Sequence, residues 1–177
     1  MRKSRRGYTL LEITLVLALI CVLAALAAPS FEGMYGHVQV KAAADAFRTA
    51  MTEARSHAID EGIPYSVAIV PGKGNYRVAP DSPSYWGGAG DSGSGFANDE
   101  VLPGNICFPL ENGSHGDGTS LPVGSVDPGQ WSKVATFYPD GTARDDHTVT
   151  FQSSGGGRPQ VLTLRALTGG VTVSSGD

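Results

Sequence analysis

The chain has 177 residues, 41% of them apolar and 17% charged, with 13 Lys+Arg against 17 Asp+Glu for a formal charge of −4. That balance argues against a protein built to bind nucleic acid, because neutralising phosphates takes clustered Lys and Arg. The length suffices for one small domain on a stalk.

Met1 to Arg6 is a short leader carrying Arg2, Lys3, Arg5 and Arg6; Gly7 follows, and Tyr8-Thr9-Leu10-Leu11-Glu12 opens an apolar run that continues to Ala28. As a helix the run from Tyr8 reaches about 30 Å, the thickness of bilayer hydrocarbon. The basic leader would stay on the cytoplasmic side and leave everything after Pro29 outside. A carboxylate inside such a run costs roughly 2.5 to 3.5 kcal/mol unless it finds a cation, so Glu12 reads as functional.

This pattern resembles the processing site of type IV pilins and type II secretion pseudopilins. The resemblance implies a leader of residues 1–7 cut after Gly7 by a prepilin peptidase, an N-methylated Tyr8, and Glu12 as fifth residue of the mature chain. Such a cut would also create the missing cation, the new amino terminus of a neighbouring subunit, so that Glu12 penalises the isolated subunit and favours assembly. Tyr8 stands where phenylalanine is usual, but the aromatic ring is kept. The same succession, with Ala25-Leu26-Ala27 before Ala28, also describes an ordinary secretory signal peptide. Against that stand Glu12, the position of Gly7, and a helical pattern that continues past Pro29.

From Ser30 to Glu61 the apolar positions Val40, Ala43, Phe47, Ala50, Ala54 and Ala58 recur at three or four residues, with Val38, Ala42, Ala46 and Met51 widening the stripe. Lys41, Asp45, Arg48, Glu53, Arg55 and Glu61 supply the polar face of an amphipathic helix. Gly62, Ile63 and Pro64 end it. Joined to the apolar run it makes one rod of residues 8–61, roughly 80 Å long. Pro29 removes a backbone hydrogen bond and predicts a kink. The resemblance assigns residues 8–29 to the membrane and filament core, and residues 30–177 to a periplasmic domain.

Beyond Gly62, short runs of Val, Ile, Thr, Tyr and Phe alternate with Gly, Pro, Asn and Asp, the mark of strands and tight turns. Tyr65 to Val70 and Tyr76 to Ala79 predict a hairpin around Pro71-Gly72-Lys73-Gly74-Asn75. Val134 to Tyr138, Thr148 to Gln152, Val161 to Arg165 and Val171 to Ser174 predict a four-stranded meander, with turns at Pro139-Asp140-Gly141, Ser153 to Pro159 and Thr168-Gly169-Gly170. The fold expected is α+β, a long N-terminal helix packed on antiparallel sheet.

Asp81 to Gln130 is rich in Gly, Ser, Pro and Asp, with strand character only at Val101-Leu102 and Asn105 to Leu110. A connection that long tends to be functional or disordered. Tyr85, Trp86 and Phe96 are either plugs that pin it to the body or an exposed contact surface. Glu111, Asn112 and Asp117 offer oxygens to calcium, but their spacing matches no known loop, and neither metal nor cofactor is expected. Cys21 in the apolar run and Cys107 in the outer domain lie too far apart for a disulfide. Many major pilins close a C-terminal loop with one, and its absence favours a pseudopilin or minor pilin.

Thr136-Phe137-Tyr138-Pro139-Asp140-Gly141-Thr142-Ala143, then Val149-Thr150-Phe151, Leu162-Thr163-Leu164 and Thr168-Gly169-Gly170-Val171, are similar to the C-terminal sheet of the GspH/FimT group. So is Ala54-Arg55-Ser56-His57-Ala58-Ile59 to that group's helix end. The group comprises minor pseudopilins of type II secretion and related minor pilins. The resemblance implies a single-pass inner-membrane subunit, processed and then assembled with other pseudopilins or pilins through an inner-membrane platform, with no catalytic residues.

Gly90-Asp91-Ser92-Gly93 matches the tetrapeptide around a chymotrypsin-like nucleophile, yet His37, His57, His115 and His147 provide no recognisable base context for a triad. Some FimT-like pilins capture DNA. Without the four basic leader residues this chain has nine Lys+Arg against 17 Asp+Glu. Lys73, Arg77, Lys133, Arg144, Arg158 and Arg165 are scattered, so a secretion pseudopilin ranks above a DNA-uptake pilin and DNA is not expected as a partner. A local pair of Arg158 and Arg165 remains open.

Overall fold

The computed structural model describes residues 9–87, 95–110, 116, 119–151 and 158–176, without the side chains of residues 26–35 in the first helix. Helix α1 runs from Leu10 to Glu61 as one element of 52 residues, about 78 Å in length. It starts where the Thr9 side chain accepts a hydrogen bond from the Glu12 amide at 3.2 Å. It ends where Gly62 takes up the left-handed conformation, φ 68°, that lets the chain leave the helix without a Cβ clash. The helix continues through Pro29 without a break.

The core stripe is as the periodicity predicts: Val40, Ala43, Phe47, Ala50, Met51, Ala54 and Ala58 are buried, joined by Ala44. Val38 and Ala42 are exposed instead. Each lies two residues from Val40, a rotation of about 200° around the helix, which puts both on the far flank.

Two antiparallel sheets receive this stripe. Strands β1 (Tyr65–Ile69), β2 (Asn75–Pro80), β3 (Asn98–Val101) and β4 (Ser132–Phe137) form a sheet in the order β3-β2-β1-β4. Strands β5 (His147–Phe151), β6 (Gln160–Arg165) and β7 (Gly170–Ser175) form the second in chain order. The β1–β2 hairpin appears as predicted, with Tyr65 opposite Pro80 and Ile69 opposite Tyr76. A short helix α2 (Pro83–Trp86) was not expected.

The predicted four-stranded meander is wrong at its first strand. β4 pairs with β1 through a register shift at Val67/Ala68, where the buried Ser66 and Thr136 hydroxyls meet at 3.0 Å. After the Pro139-Asp140-Gly141 turn the chain touches β4 again through a bridge from Phe137 to Ala143, then diverges into β5. Local turn chemistry marked the turn but could not say which strand would cover the edge of β1. Asn105 to Leu110 is also not a strand, although Phe108 exchanges backbone hydrogen bonds with Gly72 and Lys73 and its ring is fully buried.

Phe47 ties the layers together. Its ring meets Tyr76 and Phe108 edge-on at 5.5 and 4.9 Å, and Phe151 of the second sheet at 5.8 Å. The two sheets thus share one core through α1.

Candidate functional site

Among the described residues none packs on the N-terminal part of α1. Leu10 and Leu11 are 83% and 72% exposed, and Ile13, Leu15, Val16, Leu17, Leu19, Ile20, Val22 and Leu23 are exposed on every side of the helix. A helix apolar all round is made to be surrounded, by lipid or by other helices. Among the described residues no helix is long and apolar enough to cross a membrane. The side chains beyond Ala25 that would complete the run lie outside that description.

Glu12 lies exposed in the first helical turn. Its carboxylate sits at the end of the helix where unpaired amides favour negative charge. Gly7 and Tyr8, the expected cleavage and methylation positions, lie outside the described residues, as do Glu111, Asn112, Asp117, His115 and the Gly90 to Gly93 tetrapeptide. Among the described residues no group of His, Cys, Asp or Glu is gathered as for a metal ion. Cys21 and Cys107 are both free.

Further along, the flank of α1 turned away from the sheets presents Val38, Lys41, Ala42, Asp45, Arg48, Thr49 and Thr52. The Thr49 and Thr52 hydroxyls donate back to the carbonyls of Asp45 and Arg48 at 3.0 and 2.9 Å. That satisfies their hydrogens within the helix.

The aromatics of the long connection are plugs rather than a free surface. Tyr85 is buried, and its hydroxyl receives the Gly95 amide at 2.9 Å. The Trp86 indole donates to the Pro80 carbonyl at 2.8 Å while Lys133 lies 4.9 Å above its ring. Phe96 stacks on His57 at 4.3 Å, and its amide donates to the Tyr65 hydroxyl at 3.0 Å. On its other side His57 stacks on Tyr65, and its Nδ1 lies 3.0 Å from a Glu61 oxygen. Burial, then the hydrogen bond to Glu61, push the Tyr65 hydroxyl well above the usual phenol range. The end of α1 is therefore clamped to the chain entering β3.

Asp81, just after β2, gathers charge from distant segments. Lys133 of β4 reaches one of its oxygens at 2.5 Å and Arg144 the other at 3.3 Å. Burial opposes its ionisation, but Lys133, Ser66 and Arg144 prevail and hold the carboxyl below its ordinary value. Arg77 does similar work on β2: it pairs with Asp99 of β3, donates to the Tyr85 carbonyl at 3.0 Å and lies 4.9 Å over Trp131.

Arg55 is not part of a free polar face. Its Nε donates to the Gly141 carbonyl at 2.9 Å, tying α1 to the β4–β5 turn. No helical periodicity could reveal this partner, 86 residues away.

The model described as the prokaryotic N-terminal methylation motif matches residues 2–28, and that motif implies a membrane-anchored N-terminal segment. No curated protein matches the chain. The fold is similar to that of the minor pseudopilin EpsH from the type 2 secretion system of Vibrio cholerae, at 13% identity over 77% of this chain and 97% of that one, with a TM-score of 0.51. The type IV minor pilin FimU of Pseudomonas aeruginosa aligns at 12% identity over 76% of this chain and 87% of that one, with a TM-score of 0.49. The expected α+β fold, a long helix on antiparallel sheets in the pilin-like arrangement, is the observed one.

Proposed function

We propose that this chain is a non-enzymatic structural subunit of a pilin-type filament, a minor pseudopilin of a type II secretion system. The observation that carries the reading is the uncovered apolar first part of α1, in which Glu12 is the one charged residue, continuous with a helix that packs its second half on a folded domain. A surface of that kind needs lipid before assembly and other such helices after it. The methylation motif over the same residues supports the order: insertion, trimming after Gly7 by a prepilin peptidase, methylation at Tyr8, and extraction into a filament.

In this reading residues 8–29 cross the inner membrane once, residues 30–177 lie in the periplasm, and Glu12 pairs with the amino terminus of a neighbour. The exposed flank of α1 around Asp45 and Arg48 meets adjoining subunits. Intact mass is the direct test: a mature chain that begins at Tyr8 with one added methyl group is expected. A chain beginning at Ala28 would mark a cleaved signal peptide and remove the reading.

The alternative is a type IV minor pilin engaged in pilus assembly or DNA uptake. Charge favours the secretion subunit. Arg158 and Arg165 are both exposed, but Arg158 precedes β6 and Arg165 ends it, so seven residues of largely extended chain set them roughly 23 Å apart. They do not form one basic patch. Deleting the gene separates the machines, since loss of exported proteins supports the first and loss of pili or of transformation the second.

A further inference from the structure

Outside the N-terminal segment few large apolar side chains are exposed among the described residues, and three of them gather at one end of the molecule. Ile59 in the last turns of α1 is 48% exposed, Ile63 just past the Gly62 cap 40%, and Leu167 in the β6–β7 turn 90%. The turns bearing Gly141 and Gly169 close on the helix here. A Cβ on Gly141 would lie 3.3 Å from Ile59 Cδ1, and one on Gly169 would lie 2.8 Å from Arg55 Nε.

Leu167 is carried on a hydrogen-bonded turn. The Thr168 and Gly169 amides donate to the Arg165 and Ala166 carbonyls at 3.4 Å, and the Ala166 amide donates to Asp146 at 2.6 Å. A leucine presented in this way at the same end of the molecule as two exposed isoleucines marks an interaction surface.

The rim of the patch is acidic. Asp60 and Glu61 belong to the helix end, and Asp140 is exposed next to Gly141. Arg55, the basic group among them, is committed to the Gly141 carbonyl. Arg165, two residues before Leu167, is exposed on the outer face of β6, opposite the buried Leu162 and Leu164, and is offset by the exposed Asp146 that accepts the Ala166 amide. Lipid is excluded as the occupant, because the patch sits at the end of α1 farthest from the apolar segment.

We propose that this end docks a protein surface with an apolar centre and Lys or Arg at its rim, presented by the adjoining pilin-type subunit farther from the membrane. The identity of that partner rests on the filament reading above; the patch and its charge do not.

The test uses the full chain in its own cells, with a photoreactive phenylalanine placed in turn at Leu167, at Ile59 and, as a reference on the helix flank, at Val38. Leu167 and Ile59 are expected to crosslink to another protein carrying the prepilin motif, through a peptide containing Lys or Arg. Asp60→Lys should lower the yield from Leu167 by about fivefold, since a reversed rim charge opposes a basic partner. Leu167→Ser should lower the yield from Ile59 by about tenfold. Crosslinks at Val38 with none at Leu167 or Ile59 would overturn the docking surface and leave the filament reading standing. No crosslinks at any position would remove both. A Leu167 product that is a second copy of this chain, or one indifferent to Asp60→Lys, also refutes the proposal.

Discussion

Arg55 Nε and the Gly141 carbonyl, 2.9 Å apart, join the helix to the turn between two strands that belong to different sheets. Gly141 is itself left-handed, φ 81°, and Gly169, φ 59°, closes on the same carbonyl so tightly that a Cβ would stand 2.2 Å from it. One side chain thus fixes α1 against both sheets at once.

Arg55→Ala should cost about 1 to 3 kcal/mol, because the Gly141 carbonyl is left without its donor in a buried position. Gly169→Ala should cost at least as much, since it combines backbone strain with a steric clash. Urea unfolding of the full chain in detergent, followed by far-ultraviolet dichroism, measures both. Wild-type midpoints for Arg55→Ala would show that the latch is dispensable.

Stability should fall in two stages as pH drops. Burial lowers the pKa of His147 below the ordinary histidine range. Its contribution is therefore complete above about pH 6.5 and is lost as pH falls through the lower folded value. Asp81 is also depressed from its ordinary value, with Lys133, Ser66 and Arg144 outweighing burial. Its contribution is complete above about pH 4 and disappears below it. Thermal scans from pH 8 to pH 3 should show both losses. His147→Gln should remove the upper stage and Asp81→Asn the lower; a wild-type profile flat between pH 7 and 5 would contradict the assignment to His147.

Glu12→Ala tests assembly apart from targeting. The variant lacks a charge that is costly in lipid, so it should insert and be processed like wild type, yet enter filaments poorly. Crosslinking of membrane and sheared-filament fractions reads this directly. Incorporation at the wild-type level would mean that Glu12 has no part in subunit pairing.

DNA binding should be negligible at physiological salt and lack the steep salt dependence that phosphate neutralisation produces. Gel-shift titration of the full chain in detergent checks this. Micromolar binding abolished by Arg158→Ala with Arg165→Ala would instead promote the uptake pilin.

Much of the molecule was legible in order along the chain. The apolar run with Glu12, the stripe from Val40 to Ala58, the Gly62 stop and the β1–β2 hairpin all arise from contacts within a few residues. Periodicity and turn chemistry report such contacts directly. What lay beyond them depended on meetings between distant segments: β4 beside β1 rather than β5, Phe96 on His57, Arg55 on Gly141, and Tyr85 turned inward. Each joins residues far apart in sequence, where the choice among possible partners is made by burial and closure of the whole core, a quantity that no local pattern of side chains contains.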